Sequence, residues 1–183
     1  MNNNDILKQL KNKRAAIFID DANLFYMQKR VGWEIDWERT KKFFEDNLQS
    51  AIWFYYLGMP LTEKGRFENE KLKEKLTKIG FQVKTKPLKK IYLDDQKVDF
   101  KHKCNFDVEI AFDVARHIAE IDLAIVMSGD SDFLEAKNYC LENKKGFLIT
   151  CFEERVAWEI RRVYHLFFED IRGFVSKKIN PDK

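Results

Sequence analysis

Five aspartates stand where chain direction can bring their side-chain oxygens together. Asp20 and Asp21 directly follow the apolar run AAIFI at 15–19, Asp130 and Asp132 directly follow LAIVM at 123–127 inside SGDSDF, and Asp107 opens an amphipathic stretch. Ionised carboxylates held close together repel, and a fold tolerates this poorly unless a cation sits among them. Oxygen-only ligands suit Mg²⁺ or Mn²⁺, not zinc. A pocket of them can hold one or two divalent ions that activate a water and stabilise charge on a phosphodiester during hydrolysis. Each aspartate alone has an ordinary explanation: Asp107 as a helix cap or first-turn residue, Asp132 as the cap of a helix from Phe133. Single caps do not explain why two pairs converge.

Smaller polar residues accompany the carboxylates. Asn23, three residues beyond Asp20, can point back to the pocket from the first helical turn or simply cap it. Ser128 and Ser131 flank the Gly129-Asp130 turn, where either can orient a carboxylate, touch a phosphate or satisfy the turn. Asp113 lies six residues past Asp107, about 120° away around a helix. It can therefore reach the pocket only from its rim.

The elements that must position these residues follow from hydrophobic periodicity. Continuous apolar runs at 15–19, 51–57, 123–127 and 146–152 predict buried strands, and the more polar GFQVKTK at 80–86 predicts a strand nearer the edge. Helices are expected over 35–48, capped by Asp36, and over 67–79, 107–118, 133–143 and 153–166. Strands alternating with helices predict an α/β fold: a three-layer α/β/α sandwich with a mainly parallel sheet of about five strands. All five aspartates then arrive at the carboxyl edge of the sheet, where open parallel sheets bind ligands. The segment at 86–105 breaks the rhythm. Pro87 makes a central strand unfavourable there, and Asp94-Asp95-Gln96 forms a turn signal, so a β extension or loop on the rim is expected. One domain at 13–175 is expected, with flexible ends at 1–12 and 176–183.

FIDDANL at 18–24, the helix beginning at FDV (106–108) after a lysine-bearing rim, and VMSGDSDF at 126–133 together resemble the NYN domain of bacterial LabA-like proteins. That family lies within the PIN-like nuclease superfamily. The resemblance spans roughly 13–172, and the ordered set of three motifs carries it. It implies a PIN-like doubly wound sheet and metal-dependent endoribonuclease chemistry in active members, with 5′-phosphate products. The family's first acidic residue falls on Asp20, its asparagine on Asn23, its central aspartate on Asp107, its second helix aspartate on Asp113, and its SGDSDF on Asp130 and Asp132. The family's lysine is best matched by Lys103, or by Lys101, with two residues too many before Asp107. Asp21 adds a charge where many relatives carry a small residue.

Phosphates approaching carboxylates need nearby positive charge. Between Lys84 and Lys103 there are seven lysines against three aspartates, so Lys89, Lys90, Lys101 and Lys103 are candidates to line the pocket mouth. Tyr92, Phe100, Phe25 and Tyr26 are candidates to stack on unpaired bases, which points to single-stranded or loop RNA as the partner. The formal net charge is +3, too small to announce nucleic-acid binding in bulk. The odd three cysteines lack a CxxC pair, which predicts a reducing, cytoplasmic setting. No apolar run is long enough for a membrane span. Sixteen phenylalanines and four tryptophans leave material for a homodimer interface.

The expectation is thus an Mg²⁺- or Mn²⁺-dependent ribonuclease in which Asp20, Asp107, Asp130 and Asp132 hold metal, Asp113 being a further candidate ligand. Asn23 and Ser128 would position water or phosphate. The alternative is a catalytically weak or inactive RNA-binding or regulatory protein on the same fold. A DxDxT phosphatase is a poorer fit because Ala22 replaces its second aspartate. A phospho-receiver is poorer too, because the third strand ends in Lys-Pro.

Overall fold

The structure, a computed structural model, describes residues 3–92 and 100–177. In chain order it contains α1 (Asn3–Leu10), β1 (Arg14–Asp20), α2 (Asp21–Val31), α3 (Trp37–Asn47), β2 (Ser50–Met59), α4 (Glu63–Lys78), β3 (Gln82–Pro87), β4 (Lys89–Tyr92) and β5 (Phe100–Lys103). There follow α5 (Asp107–His117), β6 (Leu123–Met127), α6 (Leu134–Glu142), β7 (Gly146–Cys151), β8 (His165–Phe167) and α7 (Arg172–Val175). The main sheet has the order β3-β2-β1-β6-β7-β8, and every neighbouring pair in it is parallel.

Alternation along the strands divides the core into two layers. Ile17 and Ile19 of β1, Tyr55 and Leu57 of β2, and Ile125 and Met127 of β6 face α1–α4 and α7. Phe18, Phe54, Tyr56 and Val126 face α5 and α6. Burial on both faces explains why these strands read as unbroken apolar runs. The chain runs outward from β1 through β2 to β3, then returns to place β6 on the other side of β1. Strand order therefore reverses between β1 and β6, and a crevice opens beyond their carboxyl ends.

The rim segment forms an antiparallel hairpin, β4 with β5, in which Lys89 pairs with Lys103 and Lys90 with His102. The turn expected at Asp94-Asp95-Gln96 and the side chains of Tyr92, Phe100, Lys101 and Lys103 lie outside the described residues. Close approach of the rim to the sheet leaves no room at Gly58, where a Cβ would lie 2.8 Å from Leu88 Cδ2 and 3.1 Å from Cys104 Cβ.

Four expectations need correction. The sheet has six strands, since β8 was not foreseen. The segment at 153–166 is not a long helix: Arg155 takes φ 54°, a single 3₁₀ turn spans Ile160–Arg162, and the chain then joins β7 as β8. Residues 3–10 are helical, not loose, because Ile6 and Leu10 are buried in the core and Tyr164 Oη donates to the Ile6 carbonyl. The tail is held as far as Lys177, through a Ser176 bridge to Ile35 and the Lys177 N–H to Glu34 O. On α4, Phe67 turns outward beneath Lys71, and only Leu76 is fully buried.

Candidate metal centre at the carboxyl edge

Asp20 ends β1, and its Oδ1 accepts the Asn23 N–H at 3.4 Å, capping α2. Its Oδ2 accepts the Ser128 hydroxyl at 3.1 Å. Ser128 Oγ in turn accepts the Asp130 N–H at 3.2 Å, so one buried hydroxyl ties the first strand's carboxylate to the loop after β6. A second tie runs from the Gly129 N–H to Asn23 Oδ1 at 2.9 Å. Asn23 thus fixes the SGD loop, and its oxygen is already engaged. Asp130 Oδ1 accepts the Asp132 N–H at 3.0 Å, capping the 3₁₀ turn Ser131–Phe133. Asp132, expected as a possible helix cap, is exposed and free of that duty.

Asp107 is the first residue of α5. Its N–H is accepted by Asn105 Oδ1 at 2.7 Å, and the N-cap residue, Phe106, offers no side-chain cap. Side-chain oxygens of Asp107, Asp130 and Asp132 lie within 4.8 Å of one another. Among the described residues, neither Asp130 nor Asp132 is neutralised by an ion pair. Three hard, acceptor-only groups converging this closely fit a divalent ion such as Mg²⁺ or Mn²⁺. Asp20 borders this group. Burial lifts its carboxyl to about 6, opposed by the Ser128 hydroxyl and Asn23 N–H, while the charges of Asp107 and Asp21 push it further up. Asp21 faces the other side of the sheet, where it accepts the Tyr55 hydroxyl at 2.5 Å.

Asp113 does not join the cluster. It is buried and receives Tyr56 Oη at 2.6 Å, Arg116 Nη1 at 2.8 Å and the Lys84 ammonium. Burial pushes its carboxyl up, but these three donors together outweigh burial and hold it below its ordinary value. Asp113 is a structural anchor between β2, β3 and α5.

The rim contributes two lysines that the sequence did not single out. Lys84 and Lys86 stand opposite Tyr56 and Gly58 in the register of β3 with β2. Lys86 Nζ pairs with Glu109 at 2.5 Å and lies 4.6 Å from the Phe106 ring centroid. The shared strand parity with Tyr56 was the available signal. At the Cys104 thiol, which burial pushes up, Lys86 and Lys89 act against Glu109 and Asp20. Basic rim and acidic pocket therefore meet around one residue. Lys89 and Lys90 are exposed on the hairpin. Of the candidate stacking rings, Phe25 and Tyr26 are exposed on α2.

Similarity to known proteins agrees with this geometry. The chain is 29% identical over 175 residues to the low amplitude and bright protein LabA of Synechococcus elongatus, covering 92% of this chain and 91% of that protein. A protein of unknown function from Vibrio parahaemolyticus has the same fold, with a TM-score of 0.69 at 17% identity, over 90% of this chain and 96% of that one. The NYN domain model matches residues 14–170. With its parallel sheet and carboxyl-edge aspartates, the chain belongs to the NYN domain family.

Proposed function

We propose that this protein is a cytoplasmic, Mg²⁺- or Mn²⁺-dependent endoribonuclease acting on single-stranded or loop RNA and leaving 5′-phosphate ends. The convergence of Asp107, Asp130 and Asp132 carboxylate oxygens within 4.8 Å carries this reading. Asp107, Asp130 and Asp132 would hold the ion, with Asp20 completing the site. When bound, the ion supplies Lewis-acid stabilisation of phosphoryl charge and lowers the pKa of a water.

The chain's own residues do the remaining work. Ser128 and Asn23 fix the Asp20 and Asp130 carboxylates relative to one another before substrate arrives, which removes reorganisation from the reaction. Lys86 and Lys89, with Lys90 beside them, attract the phosphate backbone to an otherwise repulsive acidic mouth. Lys101 and Lys103 belong to the same hairpin and are assigned the same role. Among the described residues no helix is long and apolar enough to cross a membrane.

The test is end-mapping of total RNA incubated with the protein in Mn²⁺ and in chelator. Mn²⁺-dependent cuts that fall at least a hundredfold in a folded Asp130→Asn protein support the enzyme. Cuts that persist unchanged in that variant belong to a contaminant. RNA binding without any cutting assigns the protein the alternative regulatory role.

A further inference from the structure

Behind the acidic site, on the opposite face of the sheet, α2, the start of α3, and α4 border an open pocket of about 620 Å³. This lies within the size range of small-molecule pockets. Its polar floor is unusual in chemistry. Asp21 Oδ1 accepts the Tyr55 hydroxyl at 2.5 Å, and the Trp37 ring packs edge-on against the Tyr55 ring, centroids 5.2 Å apart. The Tyr55 hydroxyl thus directs its donor to Asp21. Among the described residues, Asp21 Oδ2 has no hydrogen-bond partner. Phe25, Trp33 and Trp37 supply apolar walls, and Lys29, Lys75 and Lys177 also line the cavity.

The other carboxylates there are engaged. Asp36 accepts the Glu38 and Arg39 N–H groups, and Glu34 pairs with Lys177. Asp21 Oδ2 is an acceptor open to a ligand, in a pocket whose lining also holds aromatic rings and lysine side chains. Lys177 is paired with Glu34 and Lys75 with Glu38 at 3.4 Å, while Lys29 Nζ lies 4.0 Å from the Phe25 ring centroid; this mix of acceptor, ring and ammonium suits a planar base that carries phosphate. Among the bases, guanine presents two adjacent N–H donors, N1 and N2, on one edge. Adenine and cytosine offer one amino group beside an acceptor, and uracil flanks its single N–H with carbonyls that a carboxylate repels.

We propose that this cavity binds a guanine base, its N1–N2 edge on Asp21, its ring among Phe25, Trp33 and Trp37, and its phosphate toward Lys29 and Lys75. Asp21 follows Asp20 directly, so the two sites approach each other through the first turn of α2. In RNA, the pocket would read a guanine near the scissile bond. That polymer role rests on the nuclease reading, whereas guanine binding itself does not.

The experiment titrates GMP, AMP, UMP and CMP into the full-length protein in chelator, read by tryptophan fluorescence because Trp33 and Trp37 line the cavity. GMP should bind at least tenfold tighter than the other three. Asp21→Asn should abolish that preference while keeping the wild-type melting temperature and Mn²⁺ affinity, and Phe25→Ala should weaken GMP severalfold. Equal affinity for all four nucleotides, no GMP binding, or a preference unchanged in Asp21→Asn would each overturn the proposal. Cleavage mapping separates the sources. Cuts clustered beside guanines identify an RNA base as ligand, and GMP binding with cuts indifferent to guanine identifies the free nucleotide. A protein that binds GMP but cuts no RNA keeps the pocket and loses the nuclease; guanine-indifferent cutting without GMP binding does the reverse.

Discussion

At the scale of residues, the two most informative aspartates behave in opposite ways. Asp20 is destabilised by its own charge, since burial lifts its carboxyl to about 6. Between the ordinary carboxyl range and about 6, the folded protein holds a proton that the unfolded chain has released. Metal-free stability attributable to Asp20 therefore falls as pH rises through that window, by about 3 kcal/mol in total. Chelated Asp20→Asn protein should lack this slope and melt above wild type at pH 7 and below it or level with it near pH 4; supplied with Mn²⁺, it should fail to cut RNA. Thermal melts across that pH range check the sign; a variant with the wild-type slope would refute it. Asp113 is the converse case, a buried carboxylate stabilised by Lys84, Tyr56 and Arg116. Asp113→Asn should cost about 2 kcal/mol, the loss of charge-assisted hydrogen bonds from Lys84 and Arg116, which both reach solvent, while Mn²⁺ affinity measured by calorimetry stays at the wild-type value. A lost Mn²⁺ site in a normally stable protein would instead make Asp113 a ligand. The sequence made the Asp20, Asp107, Asp130 and Asp132 positions legible because Asp20 closes a strand, Asp130 and Asp132 follow one within five residues, and Asp107 opens a helix. It did not separate Asp113 from them, because its partners Lys84 and Tyr56 come from other strands and depend on register.

At the scale of elements, legibility followed the length and purity of the periodic signal. The central strands β1, β2 and β6 were readable because burial on both faces leaves few alternatives to an apolar run. The strand β8 is three residues long and hides in a Glu/Arg-rich stretch whose spacing mimics a helix. Its conformation is set by pairing with β7 and by the buried Ile160, which are tertiary facts. Helix α1 was obscured for another reason: the polar start MNNND and the lysines mask only two core side chains. Those two matter. Full burial of Ile6 and Leu10 is worth about 4 kcal/mol together. Removing residues 1–11 should lower the melting temperature by roughly 10 °C, which differential scanning calorimetry would read. A truncated protein melting like the full chain would mean that α1 contributes no net docking energy.

At the scale of the whole molecule, the small net charge conceals a strong arrangement. The carboxyl edge carries the aspartate pocket with Lys86, Lys89 and Lys90 on its rim, while the amino edge gathers Lys8, Lys11, Lys13, Lys144 and Lys145 around Asp122. Bulk attraction for RNA could arise from either edge, but only the rim lysines place a phosphate near the carboxylates. The two contributions separate by salt dependence, since each single-strand phosphate contact adds about 0.7 to the slope of log affinity against log salt. With cleavage disabled by Asp130→Asn, a Lys89→Ala/Lys90→Ala protein should lose about 1.4 from that slope for single-stranded RNA. Lys144→Ala/Lys145→Ala, equal in charge removed, should leave the slope close to its starting value. Fluorescence anisotropy at several salt concentrations measures both. Equal losses in the two variants would show that RNA senses total charge alone; a loss confined to the amino-edge pair would move the RNA path away from the aspartates and remove the rim's role in delivering substrate.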